Sequence, residues 1–232
     1  MGGSMPHWEV DKDVMSGLGW TGTVFAVSLF LAPIPTFHSI LKKRSTEQFS
    51  PIPYLSALVQ CAVWCVYALP FITPNKASPL ITNAIGFSLE LVYMIIFFIF
   101  AVDKKTLCLQ LIGVLTFMGG IVVICVTTDG TLRTEILGII ADVLNVIMYA
   151  APLSILGVVL KTKSVEYLPL PLLITAMLNS AAWLAYAIYV WDMYILTANA
   201  LGVLLGTVQI GIYVAFCGKR HEPMGEYVLL RD

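Results

Sequence analysis

Charged side chains are scarce in this chain: Asp, Glu, Lys and Arg make up 12% of its 232 residues, while 59% are hydrophobic. Soluble domains average about 25% charge, so a water-facing surface over the whole chain is excluded. The net charge is −1. That offers no basic field to a phosphate backbone and excludes a nucleic-acid partner. Histidine is nearly absent, with three residues. No Ser–His pair, His-Glu-x-x-His or pair of catalytic aspartates is present, and His38 and the other two histidines lie near or beyond the ends of apolar runs. An enzyme is not expected, and neither is a metal or an organic cofactor. Cysteine gives no framework either. Cys61, Cys65, Cys108, Cys125 and Cys217 are odd in number and mostly inside apolar runs. Cys61 and Cys65 share a helical face without a His or carboxylate at ligand spacing, which reads as buried packing.

What is present is a series of apolar runs of about 20 residues, each long enough to cross a hydrocarbon core of roughly 30 Å as a helix. Seven are legible, at 17–41, 51–71, 80–102, 107–127, 134–159, 168–190 and 193–217. The stretch before them, MGGSMPHWEVDKD, is polar. It has no cleavable-signal pattern and fails the myristoylation pattern because position 6 is Pro. Placing the N-terminus outside puts Lys42, Lys43, Arg44, Lys104, Lys105, Lys161, Lys163, Lys219, Arg220 and Arg231 on the cytosolic side. Only Lys12, Lys76 and Arg133 are left outside. The positive-inside bias then predicts an outer or lumenal N-terminus and a cytosolic C-terminus.

The runs repeat. Pro33 and Pro152 are 119 residues apart, as are Ser45 and Ser164, Glu47 and Glu166, Trp64 and Trp183, and Tyr67 and Tyr186. Asn83 with Gly86 returns as Asn199 with Gly202 at an offset of 116, so the connector before the third span is three residues longer in the first copy. Two equivalent units point to function where they face each other. Three spans are odd, so a fourth must intervene to give both copies one orientation. The expected fold is an all-α multi-pass membrane protein: seven transmembrane helices as two parallel three-helix repeats joined by a linker helix, 3+1+3. The expected divisions are a polar leader 1–16, a first repeat 17–102, linker helix and outer loop 103–132, a second repeat 133–218 and a cytosolic tail 219–232.

Four prolines sit at one membrane level. Pro33 and Pro152 lie toward the cytosolic ends of spans 1 and 5, and Pro53 and Pro169 open spans 2 and 6. Each removes a backbone N–H and weakens the local ladder. They read either as helix punctuation or, taken together, as an inner gate. Gln60, Trp64 and Tyr67 share one helical face, and Asn179, Trp183 and Tyr186 repeat it; Asn145 and Met148 form a stripe with Pro152. A single buried amide is most simply a helix–helix hydrogen bond. Amides and indoles paired between the copies also suit a neutral polyhydroxylated ligand: amides bond hydroxyls, and an indole face packs on the C–H face of a sugar ring. Asp192 can reach the level of Tyr67, and a Tyr–Asp bond there would be an outer latch. Glu90 and Asp142 are intramembrane carboxylates, which leaves a proton-coupled carrier as an alternative. A seven-helix receptor or sensor is a second alternative, but it has no need of two equivalent halves.

The pieces FLAPIPTF, KKRSTEQFSPIPYLSAL, TNAIG, AAPLSI, KTKSVEYLPLP and ANALGVLLGTVQ resemble the SWEET sugar transporters of plants, over roughly residues 17–218. The resemblance implies a bidirectional, uncoupled sugar carrier working by alternating access, with a small neutral sugar and membrane lipid as partners and a homo-oligomer, trimers included. It also implies that Asn83 and Asn199 are the substrate asparagines and Trp64 and Trp183 the pocket tryptophans. Pro33, Pro53, Pro152 and Pro169 match the proline tetrad, and Tyr67 with Asp192 the outer gate. Gln60, Met148 and Asn179 stand where sucrose carriers of the family tend to have small residues, and Ala26 where Ser is frequent. The bulk predicts a monosaccharide such as glucose over sucrose. Plasma membrane and vacuolar membrane fit equally.

Overall fold

A computed structural model describes residues 11–166 and 168–217. Most of the expected leader and all of the expected tail, with Lys219, Arg220 and Arg231, lie outside the described residues. Those described form helices and no strand: α1 Lys12–Leu31, α2 Ile34–Lys43, α3 Ile52–Tyr67, α4 Ala77–Phe100, α5 Lys104–Thr127, α6 Gly130–Met148, α7 Ala150–Thr162, α8 Leu170–Val190 and α9 Met193–Phe216. They make seven spans, because α1 with α2 and α6 with α7 are each one span broken in the middle. Backbone groups in hydrocarbon must be satisfied within the segment, so helices are the available solution for an open chain of this composition.

The breaks follow from proline. Pro33 has no N–H for the carbonyl of Leu29, which Ala32 N takes instead at 3.1 Å. Pro152 has no N–H to give Met148 O, and the fifth span breaks at Tyr149. Both broken spans end on a left-handed residue at matching positions, Arg44 at φ 54° and Lys163 at φ 56°. Boundaries differ from the apolar runs in two places. α1 starts at Lys12, inside the expected leader, because the Asp11 side chain caps it through Asp13 N and Val14 N. α3 ends at Tyr67 although the run stays apolar to Phe71, because Pro70 cannot donate and the chain turns there.

The first repeat holds α1 to α4 and the second α6 to α9; α5 lies between them, against α3 and α6. Apolar residues of α5 face outward, Leu115 70% and Val126 79% exposed, as a helix bathed in lipid requires. The core is divided unevenly along the bundle. At the end away from the basic connectors, one core spans both repeats and includes Val63, Trp64, Tyr67, Leu137, Ala141, Trp183, Tyr186 and Ile195. At the basic end each repeat has its own core. Phe37, Ile40, Leu55, Tyr93 and Phe97 form one, and Leu156, Val159, Leu168 and Leu173 the other. The repeats meet through α1–α8 and α3–α6. Close approach of α1 and α8 depends on Gly22: a Cβ there would stand 2.7–3.0 Å from the Trp183 indole.

Candidate functional site

Between the repeats lies a cavity of about 250 Å³. All eight residues expected to hold a ligand line it: Gln60 and Trp64 from α3, Asn83 from α4, Asn145 and Met148 from α6, Asn179 and Trp183 from α8, and Asn199 from α9. The helical periodicity that placed them on common faces also aims those faces at one another. The two asparagines are held alike. Asn83 Nδ2 donates to Pro79 O at 2.9 Å and Asn199 Nδ2 to Ile195 O at 2.7 Å, each one turn back on its own helix. One amide hydrogen is thus committed to the backbone and fixes the side chain. Among the described residues the amide oxygens have no hydrogen-bond partner, and both residues line the cavity. The indoles are also held alike: Trp64 on Tyr67 and Trp183 on Tyr186, each pair edge-on with centroids 5.4 Å apart.

The copies are not identical around the cavity. Gln60 is 7% exposed and donates to Ala141 O at 3.3 Å, while its Oε1 has no partner; Asn179 Oδ1 has none either. Residues that the sequence reasoning missed also line the space, among them Phe30, Cys61, Thr82 and Tyr149. Phe30 and Tyr149 stand 119 apart, so the repeat offset was the signal that could have found them. Each sits against a glycine of its own repeat, the Phe30 ring against Gly86 and the Tyr149 hydroxyl against Gly202. Tyr149 Oη also donates to Ala198 O at 2.8 Å.

The shared-core end of the cavity is shut by a buried polar cluster. Tyr67 Oη donates to Asp192 Oδ2 at 3.0 Å and reaches Oδ1 at 3.2 Å. Lys76 Nζ binds Asp192 Oδ2 at 2.7 Å, with side-chain exposures of 8% and 3%. The ammonium also lies 5.9 Å from the Tyr186 ring. Lys76 was read from the sequence only as an outer positive charge. It occupies the position equivalent to Asp192, at the offset of 116, and both residues are N-caps of the third span of their repeat. The pseudo-twofold thus brings two opposite charges together at its axis. Asp192 also caps α9, accepting from Tyr194 N and Ile195 N at 3.1 Å each. Glu90 and Asp142 do not line the cavity; Glu90 Oε2 and Asp142 Oδ1 are buried without a partner. The four prolines do not line it either. Pro33 and Pro152 are half-buried, and Pro53 and Pro169 are exposed at the divided end.

Residues 16–105 and 135–221 each match a family model described as a sugar efflux transporter for intercellular exchange. The two matches fall on the two repeats. An Arabidopsis thaliana protein named bidirectional sugar transporter SWEET7 is 36% identical over 214 residues, covering 90% of this chain and 83% of its own. Another from the same plant, bidirectional sugar transporter SWEET5, is 38% identical over 206 residues, with 86% and 85% covered. A solved structure of a eukaryotic SWEET transporter superposes with a TM-score of 0.80 at 32% identity, over 88% of this chain and 97% of that one.

Proposed function

This chain belongs to the SWEET family of sugar transporters, and from that premise we propose that it is a bidirectional facilitative carrier of a small neutral sugar. The observation that carries the reading is the cavity itself: uncharged, lined by amides and indoles contributed by both repeats, and shut at one end. A sugar would be held between Asn83 and Asn199, whose oxygens accept from hydroxyls, and between Trp64 and Trp183, whose faces cover ring C–H groups. The backbone bonds at Pro79 and Ile195 set both amides before the ligand arrives, so little side-chain freedom remains to be lost on binding. A volume of about 250 Å³ lies just below the usual range of small-ligand pockets, which starts at about 300 Å³. Gln60, Asn145, Met148 and Asn179 take up its walls, which favours one ring, such as glucose, over sucrose.

Transport is by alternating access. In this reading the bonded Tyr67–Asp192–Lys76 cluster serves as the outer gate, and the divided end with Pro33, Pro53, Pro152 and Pro169 serves as the inner gate. The repeats 17–102 and 133–218 rock about the site, with 103–132 as the link. The basic connectors orient the divided end to the cytosol, in a plasma or vacuolar membrane. The lipid-facing apolar surface of α5 leaves room for a homo-oligomer such as a trimer. Labelled glucose and sucrose flux into proteoliposomes, with and without a proton gradient, tests the whole reading. Glucose should equilibrate without accumulating, and Asn199→Ala should abolish its entry while the protein stays folded. Accumulation driven by the gradient would instead favour the proton-coupled alternative, for which the unpartnered oxygens of Glu90 and Asp142 are the motive.

A further inference from the structure

The two broken spans are equivalent by sequence but are braced differently. In the first repeat, Tyr93 of α4 straddles the break. Its hydroxyl donates to the carbonyl of Phe30, in the last turn of α1, at 3.0 Å. Its ring stacks on Phe37 of α2, beyond the break, with centroids 4.4 Å apart and planes 14° from parallel. Tyr54 of α3 then closes edge-on against Phe37 at 4.8 Å. One side chain therefore grips the helix on both sides of its weak point. The carbonyl it holds lies beside the one that Pro33 leaves without its usual donor.

The second repeat has no such brace. The positions equivalent to Phe37, Tyr54 and Tyr93 are Leu156, Leu173 and Gln209, so neither ring stack nor hydroxyl is available. Gln209 makes no hydrogen bond among the described residues. The carbonyl equivalent to that of Phe30 belongs to Tyr149, and it accepts Leu153 N of its own chain at 3.1 Å. Tyr149 itself is tied to Ala198 O, which anchors the end of α6 but nothing past it. Beyond the break, α7 packs through Leu156 and Val159 on Leu168 and Leu173; Tyr213 and Phe216 of α9 lie against the same cluster, and Lys163 Nζ stands 4.8 Å from the Phe216 ring.

We infer that the carrier is mechanically unequal at its divided end: Tyr93 locks α2 to α1 and α4, so that α2 moves only as part of a rigid first repeat, while α7 swings about Tyr149 and Pro152 to open and close the passage. Tyr93 is then a positioning residue, acting through the Phe30 carbonyl and the Phe37 ring without touching the ligand. Stacked rings and a hydrogen-bonded hydroxyl have a preferred geometry, and leaving that geometry forfeits both contacts at once. Aliphatic packing has no directional preference and slides at little cost.

The inference rests on the carrier reading above, and the test separates the two. Spin labels introduced as unnatural amino acids replace Leu41 and Ile99 on α2 and α4, and in a second protein Leu160 and Ala215, the equivalent exposed pair on α7 and α9. Distances are measured on the full chain in lipid nanodiscs, with the opposite gate intact and with it weakened by Asp192→Asn. The α7–α9 distance should shift between the two conditions while the α2–α4 distance stays single and fixed. Tyr93→Phe should broaden the α2–α4 distribution and change transport turnover by about fivefold, the weight of one hydrogen bond. Phe37→Leu, which copies the second repeat, should broaden it too and serves if the first variant does not fold. An α2–α4 shift as large as that of α7–α9, or a distribution that neither variant moves, overturns the inference. Absence of sugar flux in the unlabelled protein would instead count against the carrier reading, and the distances would still decide the brace.

Discussion

The buried ion pair between Lys76 and Asp192 permits a quantitative forecast. Replacing Lys76 with Met removes the ammonium and leaves the carboxylate of Asp192 in a site where its side chain is 3% exposed. Breaking a buried pair by deleting one partner costs about 3–5 kcal/mol. Asp192 keeps the Tyr67 hydroxyl and two backbone N–H groups of α9, which lowers the figure here to about 1–3 kcal/mol. In the proposed transport cycle water would reach the carboxylate when the outer gate parts, so the cost would fall on the closed state alone. The closed-to-open ratio should drop about 5- to 150-fold. The assay is a distance measurement between labels at Phe71 and Trp191, exposed positions on either side of this gate, together with the initial rate of glucose entry. The variant should gain a long-distance population that the parent lacks. Exchanging the charges, Lys76→Asp with Asp192→Lys, should restore the short distance, because the two positions are equivalent N-caps and the new Asp would cap α4 as Asp192 now caps α9. The reasoning is refuted if Lys76→Met keeps the parental distribution, or if the exchange behaves no better than the single variant.

Other outcomes can be stated more briefly. Tyr67→Phe should weaken the closed gate by about 1.5–3 kcal/mol, the worth of a hydrogen bond to a charged group. Tyr186→Phe, at the equivalent position, should be neutral or slightly stabilising in thermal unfolding, because its buried hydroxyl has no partner. Gly22→Ala would place a methyl group about 3 Å from the Trp183 indole; a cost of roughly 1–3 kcal/mol from overpacking should show as a lower unfolding temperature and slower transport. Met148→Val widens the cavity wall, and sucrose flux relative to glucose should rise in proteoliposomes; an unchanged ratio would remove side-chain volume as the cause of selectivity.

Much of this molecule was set by local sequence. The number of spans and their helical form follow from run length and periodicity, which are properties of neighbouring residues, and the pairing of Asn83 with Asn199 and Trp64 with Trp183 follows from the repeat offsets of 116 and 119. Apolar composition could not tell helix from turn beyond Tyr67, where Pro70 decided the matter. Tertiary structure alone decided what meets across the repeats. Lys76 lies 116 residues from Asp192, and its partner could not be read from its surroundings in the chain, because a charge is assigned a partner only when folding carries another to it. The same holds for the hydroxyl of Tyr93, 63 residues from the carbonyl it holds. The repeat offset announced that the two halves are alike. Only packing in three dimensions showed where they differ, because a stacked ring and an aliphatic contact both satisfy one hydrophobic position in the sequence and resist motion very differently once in place.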